Sequence, residues 1–321
     1  MVPSSTHRCL TWSLKSERGF MNSYLLQEQL MHATYFAPRG RQRLYNLGHQ
    51  LAQRHLNASD LIIGFIGGPG AGKSRLISGM FPGLELTNDD EGVNIRPLPL
   101  LDACENEFFG SHTYHVDIRF ESAFTQPGIL ADAIRTAVEQ NRRVIIEHFD
   151  LIYNTLRMDA DVMIAIGEEV IVTKPTIFGP KPDALAKQVF KSLKYRKMAH
   201  TAEDLTSMVL EDDYNFKAPP IHGDIRHGFL LEFDECPEVP ILDLEKKVMG
   251  FIDKKLRVSR VDEEHISIGD KKKYYCTGPR IHVRNTGNIK NFRLEKEYIY
   301  DAKGNVYVLA GRVDEPDNTE F

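Results

Sequence analysis

Residues Gly67-Gly-Pro-Gly-Ala-Gly-Lys-Ser74 constrain this chain more than any other stretch, because they match GxxxxGK[ST] in full. The apolar run Leu61 to Ile66 leads into them, and Arg75-Leu-Ile-Ser-Gly-Met follows as a helix start. Strand, glycine loop and helix in that order make an anion cradle. Glycines let the backbone wrap around phosphates and point its N–H groups inward, at a helix N-terminus that already favours negative charge. Lys73 would set a point charge against β and γ phosphates, and the Ser74 hydroxyl would ligate Mg²⁺. The expectation is ATP with Mg²⁺, bound by Gly67, Gly68, Gly70, Ala71, Gly72, Lys73 and Ser74.

The surroundings predict the sheet that such a loop requires. Short apolar runs (Leu61 to Ile66, Val144 to Ile146, Val162 to Ile166) alternate with amphipathic stretches such as Leu130 to Glu139. That is the texture of a parallel sheet covered on both faces. Upstream, residues 21 to 56 read as two helices, carried by Tyr24, Leu25, Leu30 and Met31, then Leu44, Leu47, Leu51 and Leu56, and broken at Pro38-Arg39-Gly40. The Pro-rich stretch 174–182 reads as a linker, and Ala184 to Leu210 as a helix. Beyond it, the helical positions Leu244, Val248, Ile252 and Leu256 mix with strand-like runs at Gly228 to Phe233, Tyr298 to Tyr300 and Val306 to Leu309. A length of 321 residues suits two domains. The organisation predicted is a helical lead-in at 1–57, an α/β nucleotide-binding domain at 58–183 and an α+β domain at 184–321.

Other classes are excluded early. With 42% hydrophobic and 26% charged residues the chain is neither disordered nor fibrous, and a formal charge of −5 excludes a polycation. No apolar run approaches the roughly 18 to 20 residues of a membrane helix, so no membrane partner is expected. The first twenty residues lack the apolar centre of a signal peptide, and the four cysteines form no CxxC pair. A cytoplasmic protein is the expectation.

Phosphoryl transfer needs acidic groups beside the phosphates. Leu84-Glu-Leu-Thr-Asn-Asp-Asp-Glu-Gly92 offers Asp89 and Asp90 after a possible strand, and Val144-Ile-Ile-Glu-His148 offers Glu147. Here the sequence resembles the uridine kinase branch of P-loop kinases, in which one strand ends in paired Asp residues and a later one in Glu-Gly. The resemblance implies Asp89 as the base accepting a hydroxyl proton and Glu147 as the strand-end acid, with Lys73 the third catalytic residue. It implies a P-loop NTPase fold over roughly residues 60 to 170. His148 stands where that family has Gly, and Glu91 where it has an aromatic residue. The arginine-bearing lid expected after Ile166 is replaced by a stretch offering only Lys174 and Lys181.

The C-terminal half carries a second constellation. His200 and Asp204, in His-Thr-Ala-Glu-Asp204, share a helix face, and Cys276 and His282 follow downstream in Tyr275-Cys-Thr-Gly-Pro-Arg-Ile-His-Val-Arg-Asn-Thr-Gly287. Two groups on a helix meeting a Cys and a His from a loop suit a metal or hydrolytic site. This half resembles the second additional domain of threonyl- and alanyl-tRNA synthetases, the editing module. That family carries HxxxH, a Gly-Phe strand like Gly228-Phe-Leu-Leu-Glu-Phe233, CxxxH and Asn-Thr-Gly. The resemblance implies that the four residues line an editing pocket, which binds Zn²⁺ in alanine editors and is metal-free in threonine editors. Here the second His is Asp204, and the Cys-to-His spacing is longer.

From Lys246 to Arg293 there are 13 Lys/Arg against 5 Asp/Glu, with Lys271-Lys-Lys273 beside Tyr274 and Tyr275, a pattern suited to phosphates and an exposed base as well as to a plain solvated face. That charge could serve in place of the missing lid. Three functions stay open on sequence grounds. The first is an ATP-dependent phosphotransferase or NTPase acting on a nucleoside or RNA-related substrate, with tRNA as the candidate partner. The second is a trans-acting hydrolase of mischarged tRNA. The third is a non-catalytic, nucleotide-gated RNA-binding protein.

Overall fold

The computed structural model describes residues 32–87, 97–176, 178–216, 221–269 and 273–314. The first half runs β1 (Ala33–Phe36), α1 (Arg41–His55), β2 (Ile62–Gly67), α2 (Lys73–Met80), α3 (Pro99–Glu105), β3 (Thr113–Asp117) and α4 (Ile118–Glu121). It continues through α5 (Pro127–Glu139), β4 (Arg143–Glu147), α6 (Phe149–Leu156), β5 (Val162–Ile166) and β6 (Glu169–Thr173). These strands form one sheet in the order β1-β6-β5-β2-β4-β3. β3, β4, β2 and β5 are parallel, whereas β6 runs antiparallel to both β5 and β1.

Alternation along β2 divides the core. Ile62 and Ile66 face the layer built from α3, α5, α6 and the start of the long helix described below, while Ile63 and Phe65 face α1 and α2. Both faces are covered, as continuous apolar strands require. The two helices on the second face touch through glycine: a β-carbon on Gly48 would collide with the Leu76 carbonyl oxygen, and one on Gly79 with that of Tyr45.

The helix α7 (Pro182–Tyr214) is 33 residues long and leads into β7 (Ile221–Ile225), β8 (Gly228–Phe233), α8 (Ile241–Asp253), β9 (Val258–Arg260), β10 (His265–Ile268) and β11 (Lys273–Tyr275). A 3₁₀ turn (Thr286–Asn288) then precedes β12 (Arg293–Leu294), β13 (Ile299–Asp301) and β14 (Val306–Arg312). Two antiparallel sheets result, β12-β14-β8-β7 with β13 added on β14, and β11-β10-β9. The first half is α/β as expected, but its sheet is mixed rather than wholly parallel, because β6 returns antiparallel between β5 and β1. The second half combines helices with antiparallel sheets, and β13 pairs with β14 with Asp301 facing Val306.

Three further expectations change. The helical reading of residues 21–56 fails at Ala33-Thr-Tyr-Phe36, which forms an edge strand in register with Glu169–Thr173, because pairing with β6 outweighs the weak helical spacing; residues 21–31 lie outside the described residues. Of the 1–57 lead-in, the described part from residue 32 is not a separate body, since α1 buries Leu44, Leu47 and Leu51 in the sheet's own core. The Pro-rich stretch does not mark a division either. α7 starts at its end and contributes Leu185, Ala186 and Val189 to the first half's core, then Met198 to Leu210 to the core of the second. Among the described residues no helix is long and apolar enough to cross a membrane.

Candidate functional site

The glycine loop ends β2 and opens α2. Gly70 (φ +74°) and Gly72 (φ +97°) adopt left-handed conformations that favour glycine, and Gly72 caps α2 immediately before Lys73. The Ala71 N–H donates to the Gly68 carbonyl at 3.2 Å, closing the loop. Lys73 Nζ folds back onto the Gly67 carbonyl (3.2 Å) and lies 3.6 Å from Glu147 Oε2. The Ser74 hydroxyl donates to Glu147 Oε1 at 3.0 Å, and His115 Nε2 lies 3.3 Å from the same oxygen. Burial alone would raise the Glu147 carboxyl. The His115 hydrogen bond, the Lys73 charge and the Ser74 hydrogen bond outweigh it and hold the group at about 2.

Glu147 ends β4, and the parallel register sets Asp117, at the end of β3, directly beside it. Ligand atoms of Asp117, Glu147 and His148 lie within 4.8 Å of one another. Asp117 Oδ1 also caps α4 by accepting from the Phe120 N–H at 3.1 Å. The sequence reading missed Asp117; its signal is the short run Thr113-Tyr-His-Val-Asp117, an apolar-centred strand ending in an acid. The segment expected to be that strand, from Leu84, is irregular through Thr87, whose N–H and hydroxyl bind His115 Nδ1 (both 3.1 Å) instead of a neighbouring strand. Asp89, Asp90 and Glu91 lie outside the described residues. His148 occupies the left-handed region (φ +57°), a conformation that favours glycine over a side chain. Burial, then the Lys73 charge, pushes its imidazole down to about 4, so it is neutral at physiological pH.

The second constellation converges. α7 carries His200 and Asp204 on one face, and Cys276 and His282 arrive from the segment after β11. Cys276 Sγ lies 3.3 Å from His200 Nε2 and 3.6 Å from His282 Nε2, and His282 Nε2 lies 2.9 Å from Asp204 Oδ2. His200, Asp204 and Cys276 are buried. Glu203, unmarked in the sequence reading, sits behind them: its Oε2 bonds His200 Nδ1 at 3.0 Å and accepts from Arg39 Nε at 3.0 Å. This leaves His200 Nε2 for the cluster, the arrangement usual for a metal-ligating histidine. His282 Nδ1 is buried with no hydrogen-bond partner among the described residues. Burial, with the neighbouring Asp204 charge, pushes the Cys276 thiol well up, while burial and then His200 push the His282 imidazole down.

The donor set is one Cys, two His and one Asp, all zinc-competent types. Edges of a tetrahedron with zinc–nitrogen and zinc–sulfur bonds are about 3.3–3.6 Å. The two Cys276 contacts match them, whereas His282 Nε2 and Asp204 Oδ2, 2.9 Å apart, stand at hydrogen-bond distance, so the four residues are a candidate metal-ligand set by type and proximity.

The two sites adjoin. A cavity of about 460 Å³ is walled on one side by Gly70, Gly72, Ser74 and Arg75 of the loop and α2, and on the other by Gly278 and Arg280. A second, of about 560 Å³, is lined by Arg43, Tyr45, His222, Tyr275 and Cys276, and shares Arg41, Arg75 and Glu263 with the first. Arg196, buried on α7, donates to the Ala71 carbonyl at 2.8 Å and to that of Pro38, gripping the glycine loop from behind.

No protein-family model matches this chain, and comparison with curated proteins returns no relative.

Proposed function

We propose that the chain is an ATP- and Mg²⁺-dependent phosphotransferase or NTPase of the P-loop type, acting on a nucleoside or RNA-related substrate presented by its C-terminal half. One observation carries the reading: Lys73, Ser74 and Glu147 are bonded together at the mouth of a glycine loop that ends a central strand and begins a helix. Lys73, at present satisfied by Gly67 and Glu147, is placed to exchange those partners for phosphate oxygens. Ser74 and Glu147 would hold Mg²⁺. Held there, it would supply positive charge against the phosphates. Asp117, beside Glu147, would accept the proton of an attacking hydroxyl, the role the resemblance to uridine kinases gives to Asp89. Arg41, Arg75 and Arg280 line the cavity and would supply positive charge in place of an arginine lid, partly offset by Glu263, which pairs with Arg41 and Arg280.

Calorimetry tests the first step. Mg-ATP is expected to bind the full chain, and Lys73→Ala to weaken binding severely; unchanged affinity would refute the reading. Turnover of ATP with and without tRNA then separates an enzyme from a nucleotide-gated binding protein.

The converged His200, Asp204, Cys276 and His282 favour a second reading, a trans-acting hydrolase of mischarged tRNA with a regulatory nucleotide site. Cys276 and His222 line the second cavity, where a charged tRNA end would enter. These four residues would hold Zn²⁺, which when bound polarises a carbonyl or activates water. Metal analysis is expected to find about one zinc per chain, lost in Cys276→Ser. Deacylation of Ser- or Gly-charged tRNA would identify the hydrolase.

A further inference from the structure

The segment Cys276–His282 belongs to both sites at once. Its first and last side chains are members of the buried tetrad. The backbone between them lies against the glycine loop: a β-carbon on Gly70 would sit 3.2 Å from the Arg280 carbonyl oxygen. The segment is threaded tightly. The Arg41 N–H donates to the Thr277 carbonyl at 3.0 Å, and the Gly278 N–H to Cys276 Sγ at 3.3 Å. A β-carbon on Gly278 would collide with the Arg39 carbonyl and stand 3.0 Å from His200 Nε2. Arg280 lines the cavity together with Ser74 and Arg75, and its Nη2 lies 3.4 Å from Glu263 Oε1.

We propose that this segment couples the two sites: a zinc ion held by His200, Asp204, Cys276 and His282 fixes both of its ends and so fixes Arg280 as a phosphate-facing wall of the nucleotide cavity. The inference rests on both readings above. Its physical basis is the shortness of the segment. With both ends held by coordinate bonds, the residues between them have few ways to move away from Gly70. With the ends held only by hydrogen-bond-range contacts, the arginine is less constrained, and the nucleotide must order it on binding. A nucleotide phosphate that engages Arg280 in turn holds the tetrad's loop in its metal-binding shape. The coupling is reciprocal by thermodynamic necessity, and couplings of this kind typically amount to about 5–150-fold.

The test uses the full chain and two defined probes, zinc and a Mg-nucleotide in excess Mg²⁺. Mg-ATP is expected to bind the zinc-loaded protein about tenfold or more tightly than chelator-treated protein. In equilibrium competition with a chromophoric chelator, saturating Mg-ATP should tighten zinc binding by the same factor. This second arm starts from loaded, folded protein, so it holds even where stripped protein loses its fold. Arg280→Ala should keep the nucleotide-free zinc affinity, bind nucleotide more weakly and lose most of the coupling. Equal nucleotide affinity with and without zinc, both ligands being bound, would overturn the coupling and leave the readings above standing. Full coupling in Arg280→Ala would overturn the role given to that side chain. Failure of zinc or nucleotide to bind at all would overturn the readings themselves, and the coupling with them.

Discussion

Glu147→Gln tests the electrostatics of the nucleotide site without any ligand. The substitution keeps the side chain's shape and one acceptor oxygen, so Ser74 and His115 retain a partner. What disappears is the charge that faces Lys73 at 3.6 Å. A carboxyl held at about 2, against 4.5 for an ordinary glutamate, corresponds to about 3 kcal/mol of folded-state stabilisation. Because the folded value is the lower one, this stabilisation is complete above about 4.5 and is lost as pH falls toward 2. Urea unfolding in nucleotide-free buffer should therefore find the variant about 3 kcal/mol less stable at pH 7 and about 1.5 kcal/mol less stable at pH 3. Repeating the exchange in a Lys73→Met background should shrink the difference at pH 7, since a main source of the stabilisation has gone. A cost that stays constant from pH 7 to pH 3 would refute the reasoning.

Four further outcomes are expected. Glu168, pushed up to about 7 mainly by burial, binds its proton more tightly folded than unfolded, so it costs stability as pH rises through 7; Glu168→Gln should gain about 2–3 kcal/mol at pH 8 and almost nothing at pH 4.5 in the same unfolding assay. At His148 the left-handed backbone should reverse the usual preference, with His148→Gly more stable than His148→Ala by about 1 kcal/mol in chemical denaturation. Gly48→Ala drives a methyl into the Leu76 carbonyl and should cost about 1–3 kcal/mol as α1 and α2 separate, visible as a lowered Tm. Arg196→Met leaves the Ala71, Gly167 and Pro38 carbonyls without their charged donor and should cost about 3–5 kcal/mol; an unchanged denaturation midpoint would show that the grip on the loop is incidental.

How far the sequence could be read depended on the range of the interaction behind each feature. The glycine loop is legible because its chemistry is local: positive φ at Gly70 and Gly72 and a lysine at a helix start are written in consecutive residues. The tetrad is legible in two halves, since helix periodicity pairs His200 with Asp204 and one short segment carries Cys276 and His282. Asp117 is not. An acid at a strand end gains meaning only through the β3–β4 register that sets it beside Glu147, and register is a tertiary property. Ala33–Phe36 went astray for the same reason, its state being decided by a partner strand far along the chain. Glu203 and Arg196 show a third limit: buried charges read as surface residues until the groups that neutralise or accept from them are known.

The span of α7 decides how this protein can be divided. At about 1.5 Å per residue, its 33 residues make a rod of roughly 50 Å. A cut at residue 183 would strip Leu185, Ala186 and Val189 from the core beneath the sheet and Arg196 from behind the glycine loop. The remaining nucleotide-binding fragment would have an open hydrophobic face. A cut after residue 196 would instead leave the second half with the tetrad's helix frayed at its start. Neither half is a portable module. Heat or denaturant should melt the two together in a single transition, because one helix contributes to both cores.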